Sequence, residues 1–186
     1  MVDELGGEAG NEAMELVATT AKQVSERLQY FRVAFGLAAS AVQTTAEARA
    51  LLTPAVIGNK VQIVWPQADQ KQPLVFDYNG VKLLLNMVML AAEAMPRGGR
   101  LDVNVLKTPI NAIISVTANG QGARMDLENQ AAIQGTITNE RMTPRNVQAY
   151  LAGRLAQHLG GSLVVTAASN DIVEFRAELP LKAMAA

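Results

Sequence analysis

Apolar residues near the start of the chain fall at helical spacing. Met14, Val17, Ala21, Val24, Leu28, Phe31 and Phe35 follow one another at alternating steps of three and four residues. A seam of that period belongs to helices packed nearly parallel in a bundle or coiled coil. Glu15, Lys22, Glu26, Gln29 and Arg32 hold the opposite face. The pattern predicts a helix over 11–38, capped by Asn11 and ended near Gly36. Thr44-Thr45-Ala46-Glu47 is a capping box, opening a second helix through about Ile57, with Gly58-Asn59 behind it.

The period then changes from helical to alternating. KVQIVW (60–65) reads as a strand stopped by Pro66, and QADQKQ as a polar turn. PLVF (73–76) is a short extended piece, and Asp77 is placed to cap YNGVKLLLNMVMLAAEAM (78–95). That helix is apolar on most faces, so it should be buried against a sheet. PRGG (96–99) ends it. RLDVNVLKT (100–108) and NAIISVTAN (111–119) are strands joined at Pro109. Residues 126–142 read as a loop with a short helix near 127–134. Thr143-Pro144 should open a helix running to about Leu159, closed by Gly160-Gly161. SLVVTAA (162–168) and IVEFRAELPL (172–181) form a last hairpin around Ser169-Asn170-Asp171. The order predicts an α+β protein: a helical bundle element over 1–57, then a two-layer α/β sandwich over 58–186.

Charge and composition narrow the function classes. Sixteen basic and 17 acidic residues leave a net charge of −1, which gives no footprint for nucleic acid or an anionic membrane. With no cysteine there is no disulfide frame, thiolate metal site or cysteine nucleophile. No apolar run nears the roughly 18 residues that span a bilayer. The acidic start, MVDELGGEAGNEAM, lacks the basic and apolar regions of a signal peptide, so a cytoplasmic protein is expected. His158 is the single histidine, which leaves no partners for a three-histidine zinc site or a histidine-based triad. Neither a metal nor a cofactor is expected.

One stretch does point to chemistry. In SVTANGQGAR (115–124) an apolar strand runs into Gly120 and Gly122, as in a turn that holds a nucleotide. Ala118 stands where such a turn usually carries an acid.

Taken together, these motifs resemble the histidine kinases, in which a dimerising helical hairpin precedes an ATP-binding sandwich. LLLNMVMLAAEAMPRGGRLDVNV (83–105) looks like the helix and strand of the N box. VTANGQGA (116–123) looks like the G1 turn, and YLAGRLAQHLGGSLVV (150–165) like the kinase helix that ends in a histidine and a Gly-Gly turn before a strand. EFRAELPL resembles the last strand of that domain. The resemblance fails at the chemistry. Asn86 matches the first N-box asparagine, but Leu90 replaces the one that reaches the metal ion. Ala118 replaces the acid that binds the adenine amino group, and MTPRNVQAY (142–150) has no glycine where phosphate should approach backbone N–H groups. ATP binding is therefore not expected.

This layout with this decay is similar to the ChpT-type histidine phosphotransferases. SERLQYFRVAFG (25–36), LLLNMVMLAAEAMPRGG (83–99) and RLAQHLGGSL (154–163) carry that likeness. It implies a dimeric phosphorelay intermediate, taking a phosphoryl group from the receiver of a hybrid kinase and passing it to the receiver of a response regulator. The family's acceptor histidine lies on the first helix of the hairpin, whereas the helix at 11–38 matches the second. The acceptor and roughly 25–30 residues around it are thus expected to be missing from this chain. His158, at a helix end, reads as a structural residue. Arg27, Tyr30 and Arg32 are the candidates for docking receiver domains, with dimerisation through 11–38. Two other readings stay open: a receiver-binding scaffold that never carries phosphate, and an active ATPase of the kinase/gyrase (GHKL) type.

Overall fold

The computed structural model describes residues 3–36, 44–56, 60–65 and 78–180. The expected strand stop at Pro66, the turn at 67–72, the extended piece at 73–76, the Asp77 cap and the Gly58-Asn59 helix end lie outside these residues.

The first helix, α1 (Asp3–Phe35), is longer than its seam. It begins eight residues before Asn11, so Asn11 is an interior helical residue and the expected cap there is corrected. The helix α2 (Thr45–Val56) opens on the capping box. Glu47 Oε2 accepts from the Thr44 backbone N–H at 3.0 Å, and the Glu47 N–H donates back to Thr44 Oγ1 at 3.2 Å.

The strand β1 (Val61–Val64) leads across α3 (Tyr78–Glu93) to β2 (Gly99–Lys107). The strand β3 (Asn111–Asn119) follows, then α4 (Leu127–Gln134). Asp126 caps α4 by accepting from the Asn129 N–H at 2.8 Å. The helix α5 (Val147–His158) and the hairpin of β4 (Ser162–Ser169) and β5 (Ile172–Pro180) complete the fold. Thr143-Pro144 does not form the first turn of α5. Asn146, 2% exposed, folds that segment into an entry turn instead. Its Oδ1 accepts from the Thr143 N–H at 2.8 Å and its Nδ2 donates to the Arg141 carbonyl at 2.9 Å.

The five strands lie in the order β1-β2-β3-β5-β4. β1 pairs with β2 in parallel, as a crossover through α3 requires, and every other pair is antiparallel. Val103, Val116, Phe175 and Val165 stand opposite one another across four strands. That row lies on the inner face, where α3 and α5 cover it. One apolar cluster joins this face to Tyr30, Val33 and Ala34 of α1 and to Ala48, Leu51 and Leu52 of α2. Only the last turns of α1 enter the core. Residues 10–25 of α1 are all exposed, and the seam residues Met14, Val17, Val24 and Leu28 face solvent.

Candidate functional site

Two places carry the residues singled out in the sequence: the joint where α1 meets α3, and the turn after β3. At the joint the helical period turns Tyr30 inward while Arg27 and Arg32 stay exposed. Tyr30 is 2% exposed, and its hydroxyl donates to the Leu85 carbonyl at 2.8 Å. Burial, and then the nearby Glu93 carboxylate, push its pKa well above the ordinary tyrosine value. Tyr30 as an exposed docking residue is therefore corrected: its ring joins the core and its hydroxyl fastens two helices. Phe31 packs edge-on against the Tyr30 ring at 5.6 Å and against Phe35 at 6.0 Å.

Beside these rings lies an open groove of about 350 Å³ between α1, β1 and α3. Phe31, Val61, Met89 and Ala92 make an apolar floor, with Arg27 and Glu93 as its charged members. Arg32 is not among the lining residues, so the two arginines serve different faces of α1. Glu93 was not singled out in the sequence. Its signal was its position as the one charged residue of LLLNMVMLAAE (83–93). The residue keeps solvent contact, yet the apolar surroundings desolvate its carboxyl and raise its pKa.

The nucleotide-site positions are closed. Asn86 is fully buried; its Nδ2 donates to the Ala34 carbonyl at 2.9 Å and to the Lys82 carbonyl at 2.8 Å. Its Oδ1 is buried without a hydrogen-bond partner. Leu90 is 1% exposed within the core, and Ala118 is fully buried on the inner face of β3. The glycine turn spends its donors internally. The Gly120 N–H donates to the Asp171 carbonyl at 3.0 Å, and the Gly122 N–H to Asp171 Oδ1 at 2.6 Å. Gly122 needs its freedom, with φ at 76°, and a Cβ on Gly120 would collide with the Gly98 carbonyl. These residues do not fit a nucleotide with its metal ion: buried Ala118 and Leu90 stand at the base and metal positions, and Asp171 takes the N–H donors of the glycine turn. His158 sits exposed at the end of α5, on a helix packed against α3, α4 and the sheet rather than on α1.

A sequence profile described as "Histidine phosphotransferase C-terminal domain" matches residues 45–171. The chain belongs to the histidine phosphotransferase family. Among its relatives is Protein phosphotransferase ChpT of Brucella abortus (strain 2308), 34% identical over 174 residues. That match covers 92% of this chain and 81% of the relative. The solved structure of a bacterial phosphotransferase superposes with a TM-score of 0.74 at 29% identity, covering 91% of this chain and 80% of that one. The catalytic domain of histidine kinase ThkA gives a TM-score of 0.55 at 17% identity, over 73% of this chain and 89% of that one, and so shares the fold. The expected α+β architecture, with its likeness to the kinase ATPase domain, is thereby established, and so is the phosphotransferase resemblance. Among the described residues no helix is long and apolar enough to cross a membrane.

Proposed function

We propose that this histidine phosphotransferase is a phosphorelay intermediate. It would accept a phosphoryl group from the receiver domain of a hybrid kinase and deliver it to the receiver of a response regulator in the cytoplasm. One observation carries the reading: a chain of this family keeps the kinase-like sandwich while Leu90 and Ala118, at the metal and base positions, are buried in its own core. A relay step does not need ATP. A histidine nitrogen attacks the aspartyl phosphate in line, and the receiver supplies the metal ion and most of the charge stabilisation. The transferase presents the histidine and a complementary surface.

Residues 1–57 act in this reading as the dimerising and phosphotransfer region and 58–186 as a bracing sandwich. The exposed seam of α1 supports dimerisation, since such an apolar row is normally covered. No histidine lies on α1, so in this reading α1 supplies the docking surface and not the phosphoryl acceptor. Arg27 and Arg32 remain the docking residues, and Tyr30 contributes only the wall of the groove. The same lack of a histidine on α1 favours, as the second reading, a scaffold that binds receivers without carrying phosphate.

Two experiments separate the readings. Calorimetry with MgATP should give no saturable heat, and saturable micromolar binding would restore the ATPase reading. Labelled phosphoryl transfer from a receiver to the native protein that carries the acceptor helix should be unaffected by His158→Ala. Loss of label in that variant would move the acceptor to α5.

A further inference from the structure

Residues 10–25 of α1 are exposed, so its direction is set by its last turns, where it packs against α2 and α3. From Tyr30 to Glu15 the helix is a rigid lever of about 22 Å, and a 10° tilt at the joint would carry Glu15 about 4 Å. Apolar packing of Val33 and Ala34 resists separation of the two helices but is not directional. Hydrogen bonds are directional, and three side chains reach across this joint to backbone carbonyls. Tyr30 reaches from α1 to the Leu85 carbonyl of α3 at 2.8 Å. Asn86 reaches back to the Ala34 carbonyl at 2.9 Å, and Lys82 Nζ to the Gly36 carbonyl at 2.8 Å. These contacts span the last two turns of α1 and a single turn of α3, enough to fix both tilt and rotation. All three side chains are buried. Asn86 even leaves its Oδ1 without a partner, a cost that leucine at this place would avoid.

We infer that Tyr30, Lys82 and Asn86 are positioning residues that hold the projecting α1 at one set angle to the sandwich. The asparagine at the old nucleotide position has become part of a lock. In an ATP-dependent kinase the sandwich must approach the acceptor and withdraw; here it is a fixed wall beside the docking helix. That functional consequence rests on the phosphotransferase reading, whereas the set angle itself does not.

The chain has no cysteine, so a spin-label pair can be introduced as Glu15→Cys and Asn104→Cys, both at exposed positions. Pulsed electron paramagnetic resonance on the full chain, diluted with unlabelled protein to remove contacts between copies, reads the distance distribution. The parent should give one narrow peak. Asn86→Leu and Lys82→Met should each broaden it or move it by about 4 Å, with the circular dichroism spectrum unchanged. If Asn86→Leu does not fold, Lys82→Met, which keeps the aliphatic stem, decides. A broad distribution in the parent, or an unchanged narrow one in the folded variants, would overturn the lock. The measurement uses no phosphoryl donor, so its failure and failure of the relay reading are told apart.

Discussion

At the scale of single residues, the joint between α1 and α3 shows how one hydroxyl changes a role. Tyr30 was legible as an aromatic residue beside two arginines, which is the composition of a docking surface. Its inward turn was not legible, because the face that α3 covers depends on tertiary packing. Tyr30→Phe should lose about 1 kcal/mol, lowering the melting temperature by about 3 °C, as read by thermal denaturation. Arg27→Ala and Arg32→Ala should leave the melting temperature unchanged and weaken receiver binding. Glu93 adds a pH signature. Its folded pKa is raised, so the folded state holds that proton where the unfolded chain has released it. Its contribution is complete below the ordinary glutamate pKa and is lost as pH rises through the raised value. Because Glu93 keeps solvent contact the effect is small. Glu93→Gln should flatten that part of the stability-against-pH curve; a steeper decline in the variant would contradict the assignment.

At the scale of elements, period and capping carried most of the information. The seam of α1, the capping box of α2, the alternation in β2 and β3, and the short helix at 127–134 were all readable from local pattern. Helix starts were less so. Asn11 and Thr143-Pro144 are good local start signals, yet α1 begins earlier and buried Asn146 delays α5 by forming its own turn. Thr44→Ala should cost about 1 kcal/mol by removing the capping box, measured by denaturant unfolding. The α1 seam makes a second prediction at this scale. If copies pair through this seam as proposed, Leu28→Lys would place a charge in the interface and should give monomer in light scattering where the parent gives dimer. A dimer of unchanged stability would place the contact elsewhere.

At the scale of the whole molecule, the sequence showed which chemistry was lost but not what filled the space. Leu90 and Ala118 were visible as departures from a nucleotide site. That Asp171, 49 residues beyond Gly122, takes up the donors of the glycine turn follows only from the β3–β5 pairing. The order β1-β2-β3-β5-β4 was likewise hidden, since β3 pairs with the strand after next and only packing chooses that partner. The result is a kinase-like sandwich closed to nucleotide and joined by a polar lock to a helix with an uncovered seam. The most direct test of that account is phosphoryl transfer with the native full-length protein. It would be incubated with a receiver domain carrying labelled aspartyl phosphate, and in parallel with labelled MgATP. The account predicts base-stable, acid-labile label from the receiver, its onward passage to a second receiver, and no label from MgATP. Label from MgATP alone, or tight receiver binding with no label on the protein, would contradict it.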